Sequence, residues 1–217
     1  MALNLTKGSS SQLSLRKLCV GLGWAVSDES VDLDVAAFLI GKNKKVLADD
    51  YVVFYNSNLR VRSNNLSQIV KASEWGNDNA KMRHESRPVD PDLSVIGSID
   101  VDDEDENTSE GGDDETMDID LNRVCPDVEE IIITVSIYDY ESRRQNFGQV
   151  ERAYVRIFKP ENAAEGQEDY RYDLTEDFST CTAVEFCRIY RHNGGWELQA
   201  LGEGLRGGLD ELVDKYV

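Results

Sequence analysis

The sequence predicts a mostly β protein, a two-sheet β-sandwich with a short C-terminal helix. About ten short segments alternate apolar and polar residues or carry β-branched runs, and turn signals separate them. Only the last segment, "GGLDELVDKYV", has helical spacing, which places on one face Leu209, Leu212, Val213 and Tyr216. Many short strands and one terminal helix are typical of a sandwich with the helix packed at an edge or end.

The strand pattern is clearest where apolar residues alternate with charged ones. In "VDLDV" the apolar residues are expected on the core face and Asp32 and Asp34 on the other, because side chains alternate across a strand. "TMDIDL" repeats this alternation, and "EEIIITVSIYDY" is a β-branched run predicted to be buried on both faces. "QVERAYVRIFK" alternates with a slip near Arg152, and "HNGGW" predicts a hairpin turn since Asn-Gly tolerates positive φ.

A polar stretch interrupts the strand pattern. We interpret 1–217 as a single domain with a loop-rich insertion at about 58–110. One strand, "SQIVKAS", is predicted inside the insertion. The part at about 80–110 is expected to be mobile, because long loops inside compact domains are usually functional or disordered.

Negative charge is concentrated in one part of the chain. The formal net charge is -19, and the window 88–122 holds fourteen of the 42 acidic residues with no Lys or Arg. Such a field repels phosphate backbones and anionic membranes and attracts cations and basic partners, so direct nucleic-acid binding is disfavoured. No apolar run approaches the roughly 18 residues that span a bilayer, and the N-terminus lacks a signal layout. A soluble intracellular protein without membrane insertion is therefore expected.

The cysteines and histidines favour a protein that is not an enzyme. The four cysteines form no CxxC pair, so reduced and buried thiols are expected at Cys19, Cys125, Cys181 and Cys187. Thiol chemistry remains an alternative. The two histidines support no credible Ser/His/Asp or Cys/His arrangement.

Carboxylate and amide oxygens recur at the ends of predicted strands. The candidate metal ligands are Asp32, Asp34, Asn56, Asp78, Asn79, Asp113, Asp114 and Glu115. Calcium takes six to eight oxygen ligands of these kinds. The EF-hand pattern is absent, so a site would be assembled from separated segments. Asp139 is either a further ligand or a residue of the turn that ends its strand.

The cation question depends on whether these acids converge. Two carboxylates about 4 Å apart repel by about 4 kcal/mol at an effective dielectric near 20, so a fold that gathers several needs a counter-ion. The alternative is that the acids remain separate and solvated, as acidic runs usually do. The residue pattern leaves both readings open.

Several ordered motifs resemble the TerD family of bacterial tellurium-resistance and stress-response proteins. They include "VGLGW", "VDLDVAAFLI", "GGDDETMDIDL", "QNFGQV" and "YRHNGGW", and the resemblance covers nearly the whole chain except about 58–109. It implies a β-sandwich that binds calcium through clustered acidic loops. The calcium-site motifs of the family correspond to Asp32, Asp34, Asn56, Asp113, Asp114 and Glu115, and its Gly-Asp-Asn stretch to Asp78 and Asn79.

This chain departs from the family in two places. Ala25 follows the Gly-Trp pair where the family usually has Asp, and the segment from Ala80 to Glu110 separates two motifs that normally adjoin. The resemblance implies a calcium-binding, non-enzymatic interaction module of a stress-resistance assembly, cytoplasmic and peripheral at the inner membrane face beside a membrane protein partner. Two alternatives stay open: thiol-dependent handling of tellurite, and a metal-free scaffold member of the family.

Overall fold

Two six-stranded sheets face each other across a shared apolar core. The computed structural model describes residues 2–26, 31–98, 113–161, 168–174 and 178–217. Its strands are β1 (Leu3–Asn4), β2 (Ser10–Leu13), β3 (Lys17–Val26), β4 (Leu33–Gly41), β5 (Val52–Val53), β6 (Leu59–Arg62), β7 (Asn65–Lys71), β8 (Ser86–Pro88), β9 (Val95–Gly97), β10 (Glu115–Asp120), β11 (Val128–Ile137), β12 (Val150–Phe158), β13 (Tyr170–Leu174), β14 (Ala183–His192) and β15 (Gly195–Leu205). Its helices are α1 (Asn79–Glu85), α2 (Tyr140–Arg143) and α3 (Gly208–Tyr216), with short 3-10 helices at Asp49–Tyr51, Ala72–Trp75 and Phe147–Gln149.

The strand order defines two large sheets and a small one. The first sheet runs β1-β13-β12-β3-β10-β9, the second runs β2-β15-β14-β11-β4-β5, and the small sheet runs β7-β6-β8. β1 pairs with β13 in parallel, whereas the central pairs of both large sheets are antiparallel. The inward side chains of both large sheets form one core, which confirms the predicted mostly β fold.

The alternation predicted from the sequence places side chains correctly. Leu33 and Val35 of β4 and Met117 and Ile119 of β10 all lie in the core, as expected from period-two patterning. β11 is buried on both faces. The slip expected near Arg152 is a β-bulge in the pairing of β12 with β3.

The C-terminal helix packs on a sheet face, which corrects its predicted position at an edge or end. Leu212 and Tyr216 lie with Phe38 and Ile40 in a second apolar cluster on the outer side of the second sheet. The rings of Phe38 and Tyr216 are 5.2 Å apart. After Val35, β4 is apolar on both faces, and a strand of that kind needs a cover on each side.

The structure also corrects the prediction of a single strand inside the insertion. Residues 59–97 contain β6, β7, β8, β9 and the helix α1. β9 belongs to the first sheet, where it pairs with β10, while the other three strands form the small sheet. Residues 99–112 lie outside the described residues, so the mobility expected at about 80–110 and the single-domain interpretation remain predictions.

The segment also places a charged residue inside the fold, where a hydrophobicity pattern predicts a surface position. Arg60 is fully buried at the centre of the small sheet. Its guanidinium donates to the Ser86 hydroxyl at 2.6 Å and to the Tyr55 carbonyl at 2.8 Å. A charged residue that satisfies its donors internally can occupy a core position, and a hydrophobicity pattern does not reveal this.

Candidate functional site

A cleft lies where β4 begins and β11 ends. Asp34 of β4 stands opposite Ser136 of β11. Beyond β11 the chain turns at Asp139, whose φ of 51° is the left-handed conformation that Asp tolerates better than most residues. The cleft has a volume of about 290 Å³ and is lined by Asp34, Tyr55, Ser136, Ile137, Tyr138, Asp139, Tyr140, Glu141, Leu209 and Asp210.

Four of the lining residues carry carboxylates, and they come from three separate elements. Asp34 comes from β4, Asp139 and Glu141 from the turn into α2, and Asp210 from the first turn of α3. The Ser142 hydroxyl donates to the Asp139 carboxylate, which fixes one of these groups in the turn. The cleft is therefore a negatively charged concavity assembled by the tertiary fold.

Glycine allows the helix to approach the cleft. Gly208 has a φ of 58°, and a Cβ built there would lie 2.5 Å from a ring carbon of Tyr140. This close approach puts Asp210 beside the Tyr140 ring. Removal from water and the nearby Glu141 and Asp210 carboxylates raise the pKa of the Tyr140 phenol above its ordinary value. The phenol donates to the Glu141 carboxylate at 3.4 Å.

Aromatic rings and guanidinium groups border the cleft. The Tyr55 and Tyr138 rings meet edge to face at 5.9 Å. Arg83 stacks over Tyr55 at 4.9 Å and Arg143 over Tyr138 at 5.3 Å. These two cations partly offset the acidic charge at its border, because they lie on the rings that line it.

Three of the ligands predicted from the sequence lie in or beside this cleft. Asp34 lines it. Asp32 is exposed and precedes β4, and its carbonyl accepts the Tyr138 N–H at 2.9 Å. Asn56 is exposed and follows the lining residue Tyr55. Asp139, whose role the sequence left open, lines the cleft and also forms the turn.

The structure gives Asp78 a local role. Asp78 and Asn79 are exposed at the start of α1, and the Asp78 carboxylate accepts the Lys81 N–H at 2.9 Å as a helix N-cap. In the chain, β8 and β9 lie between the "GNDN" stretch and β10, and β9 pairs with β10 on the edge opposite β3.

The acidic loop, residues 113–115, begins with a buried ion pair. The Arg156 Nε donates to Asp113 Oδ1 at 2.7 Å, and the Tyr154 hydroxyl donates to the same oxygen at 3.2 Å. The side chains of Asp113 and Arg156 are only 4% and 9% exposed. Asp113 is therefore neutralised within the protein.

Two glycines of β3 make room for this arrangement. A Cβ at Gly21 would lie 2.0 Å from Asp113 Oδ2, and a Cβ at Gly23 would lie 2.3 Å from the Tyr154 hydroxyl. Glycine inside a strand often marks the close approach of another group. The motif "VGLGW" thus leaves space for the Asp113 carboxylate and the Tyr154 phenol on one face of β3.

The protonation state of both donors favours this contact. The hydrogen bond to Asp113 raises the pKa of the Arg156 guanidinium. Burial, and then the charge of Asp113, raise the pKa of Tyr154 to about 12. Both groups keep their protons at neutral pH, and both donate to the carboxylate.

The rest of the acidic loop is hydrogen-bonded to β3 and pairs with it in a defined register. The Asp114 N–H donates to the Leu22 carbonyl at 2.8 Å, and its Oδ2 accepts the Trp24 N–H at 2.7 Å. Glu115 begins β10 opposite Leu22. It also lines a small cavity of about 20 Å³ with Tyr55, so Tyr55 lies between the cleft and the acidic loop.

The donor chemistry of the cleft suits a hard cation such as calcium, which binds carboxylate, carbonyl and water oxygens. Within the described ranges, however, no three His, Cys, Asp or Glu side chains converge closely enough to hold a metal ion. The cleft acids surround a cavity, and Asp113 is held by Arg156. The cleft and the Asp114–Glu115 part of the loop therefore fit a cation better than Asp113 does.

Sequence reasoning missed Glu141 and Asp210 in the cleft and Tyr154 and Arg156 beneath the loop. Asp210 resembles an ordinary acid of a helix first turn, and Arg156 resembles an outward charge on an alternating strand. The spacing of Gly21 and Gly23 was the available signal, because two glycines on one strand face indicate a close neighbour. No helix in the described part of the chain is long and apolar enough to cross a membrane.

The fold and the cleft define the class, a β-sandwich protein with an acid-lined cleft, and comparison with known proteins gives the family. A sequence model of the TerD domain matches residues 1–96 and 91–216. A tellurium resistance protein TerD from Alcaligenes sp is 37% identical over 225 residues, covering 100% of this chain and 97% of that protein. General stress protein 16U from Bacillus subtilis (strain 168) is 34% identical over 226 residues, covering 100% and 97%.

The chain belongs to the TerD family, whose members include tellurium-resistance and stress-response proteins. The crystal structure of a homologue of telluride resistance protein (TerD) from Streptomyces coelicolor A3(2) has the same fold, with a TM-score of 0.57 and 18% identity. The structural match covers 92% of this chain and 96% of the Streptomyces coelicolor protein. The resemblance noted in the sequence motifs is therefore confirmed, as is membership of a tellurium and stress resistance family.

Proposed function

We propose that this chain is a calcium-binding, non-enzymatic interaction module of a tellurite and general stress-resistance system. One observation carries the calcium part. The carboxylates of Asp34, Asp139, Glu141 and Asp210 line a single cavity of about 290 Å³. A divalent cation bound in the cavity would offset the mutual repulsion of the negative charges that line it. The full-length similarity to tellurium-resistance and general stress proteins supports the system to which the module belongs.

The ligand groups in this proposal are the cleft carboxylates, with Asp32 and Asn56 beside them and Asp114 and Glu115 across Tyr55. Calcium accepts the carbonyl oxygens and water that complete such a shell. When bound, calcium would supply positive charge that holds β4, the turn after β11 and α3 together. The chain's own residues position the donors and keep Tyr140 protonated among them.

The chemistry of the thiols argues against the alternative of thiol-dependent tellurite handling. The thiolate is the reactive form of cysteine. Burial raises the pKa of the Cys187 thiol to about 12, and burial with the Asp118 carboxylate raises that of Cys19 to about 12. Cys125 and Cys181 are only partly buried, which corrects the expectation that all four thiols are buried. The residues that line the cleft include no Cys, so the thiol that this alternative requires does not face it. These points support cation binding over thiol chemistry at the cleft.

The partner would be another protein of the stress-resistance assembly, including a membrane protein at the cytoplasmic face of the inner membrane. An acidic protein of net charge -19 attracts basic surfaces and repels anionic lipid and nucleic acid. Peripheral location by binding a protein therefore fits the charge better than direct attachment to lipid.

Calcium should stabilise the folded chain. At about a hundred-fold excess over the dissociation constant, the ligand adds about 2.7 kcal/mol, which corresponds to a rise in Tm of about 5–10 °C. Thermal unfolding of the full chain in EDTA and then in millimolar calcium measures this shift. Magnesium at the same concentration is the control for ionic strength.

A matched pair of variants on α3 locates the effect. Asp210→Asn removes a cleft carboxylate, whereas Asp214→Asn removes an exposed one from the same helix. We expect Asp210→Asn to lower the calcium affinity by about ten-fold, equivalent to one lost charge contact, and Asp214→Asn to change it by less than about two-fold. A wild-type Tm that calcium leaves unchanged would establish the metal-free scaffold alternative instead.

A further inference from the structure

We propose that Arg156 is the positioning residue of the acidic loop: its guanidinium holds Asp113 against β3, so that Asp113 anchors the loop and sets the position of Asp114 and Glu115, the loop carboxylates of the proposed calcium site. This inference rests on the proposed calcium binding. It assigns to Asp113 a role other than the ligand role implied by the family resemblance.

The first step is that Asp113 and Arg156 each compensate the buried charge of the other. Both side chains are nearly excluded from water, at 4% and 9% exposure, and they meet at 2.7 Å. The Arg156 guanidinium also stacks over the Phe158 ring at 4.5 Å, which fixes its position on β12. A charge buried in this way is strongly destabilising once its partner is removed.

The second step is that both oxygens of Asp113 are already surrounded by protein. Oδ1 accepts from Arg156 and from the Tyr154 hydroxyl. Oδ2 lies where a Cβ of Gly21 would stand. A cation at this carboxylate would meet a guanidinium bound to the same group, and like charges repel. Asp113 is therefore poorly placed to bind a cation and well placed to anchor the loop.

The third step is that the anchor sets the position of the next two residues. Asp114 bonds to β3 twice, through its N–H to Leu22 and through its carboxylate to the Trp24 N–H. Glu115 then enters β10 opposite Leu22. Because these residues follow Asp113 directly, release of Asp113 from Arg156 would shift the whole loop relative to β3.

A double-variant experiment on the full chain tests this role. The variants are Arg156→Gln, Asp113→Asn and the two combined, each titrated with calcium and each unfolded thermally in EDTA. Arg156→Gln leaves a buried carboxylate without its cation, so we expect calcium affinity to fall at least about ten-fold and Tm in EDTA by about 10 °C. The combined variant has no buried charge, so both values should recover, affinity to within about three-fold of wild type.

A matched control and a conservative variant sharpen the result. Arg171 lies on the same sheet face, stacks on Tyr154 at 4.1 Å, and is 30% exposed. Arg171→Gln should change calcium affinity less than about two-fold, because a partly exposed pair contributes little. Arg156→Lys keeps the charge but lacks the planar fork, so it should bind calcium more tightly than Arg156→Gln and less tightly than wild type.

The outcomes separate this inference from the proposed function. If Asp113 is itself a ligand, the combined variant binds calcium no better than Arg156→Gln, and the inference is overturned. Unchanged affinity in Arg156→Gln overturns it too. If the wild-type chain binds no calcium, the proposed function fails. The EDTA measurements then still decide whether Asp113 is an anchor, since recovery of Tm in the combined variant supports it and lack of recovery refutes it.

Discussion

At the scale of single residues, two glycines are as important to the acidic loop as its charged residues are. Gly21 and Gly23 of β3 have no Cβ, and Asp113 and Tyr154 occupy the space. The same run of acids therefore contains residues of different kinds. Asp113 is buried and paired with Arg156, whereas Asp114 is exposed and bonded to the backbone of β3.

Gly21→Ala should destabilise the fold. The added Cβ would lie 2.0 Å from Asp113 Oδ2, so the ion pair must shift. Overpacking of this kind costs about 1–3 kcal/mol of unfolding free energy, measured by urea denaturation. Gly195→Ala is the control, because its Cβ would meet nothing closer than 3.7 Å. Equal unfolding free energies for the two variants would mean that Asp113 adjusts freely.

At the scale of elements, α3 determines how the second sheet is completed. The outer side chains Ala36, Phe38 and Ile40 of β4 are apolar, and α3 covers them with Leu212 and Tyr216. The Tyr216 hydroxyl and the Lys215 ammonium both donate to the buried Glu185 carboxylate, at 2.7 and 2.6 Å. The same helix places Asp210 in the cleft. The cleft is therefore complete only when α3 is packed on the second sheet.

Leu212→Ala should lower the unfolding free energy by about 2–4 kcal/mol, because Leu212 is fully buried and its removal leaves a cavity. Asp214→Ala, two residues further along the helix and exposed, should change it by less than about 0.5 kcal/mol. Chemical denaturation of both variants measures the difference. The two variants behaving alike would show that α3 is not docked on the sheet in solution.

At the scale of the whole molecule, several buried groups bind their protons more tightly in the folded state. The pKa of the thiols of Cys19 and Cys187 and of the Tyr154 phenol is raised to about 12 in each case, chiefly by burial. Unfolding exposes these groups and returns each pKa toward its ordinary value. As pH rises, the unfolded chain therefore releases its protons first.

The free energy of unfolding should fall between about pH 9 and pH 12, by up to about 1.4 kcal/mol per pH unit for each such group. The stability contributed by the raised pKa is fully present below the unfolded-state pKa values and is lost progressively as pH rises toward the folded-state value of about 12. Cys187→Ala should make the fall of the unfolding free energy with pH less steep, by the contribution of one titrating group. Ile133→Val, a change in the residue paired with Cys187, removes buried volume without a titrating group and should leave the slope unchanged. A slope identical in Cys187→Ala and wild type would contradict the burial explanation.

The sequence by itself determined the mostly β class, the alternation of β4 and β10, the two-sided burial of β11, the terminal helix and the family. It did so because these depend on local periodicity and on motifs a few residues long. It also located Asp34 and the acidic loop, since runs of carboxylates are visible in any sequence.

Only the tertiary structure decided which acids share a site and which are paired. Asp34, Asp139, Glu141 and Asp210 line one cavity because β4 and α3 begin, and β11 ends, at one corner, and that depends on strand order and helix packing. Asp113 meets Arg156 because β10 and β12 flank β3, a contact across 43 positions of sequence. Arg60 is a core residue because Ser86 and Tyr55 satisfy its donors. Charge and polarity can be read along a chain, but the partner that neutralises a charge is set by long-range contacts.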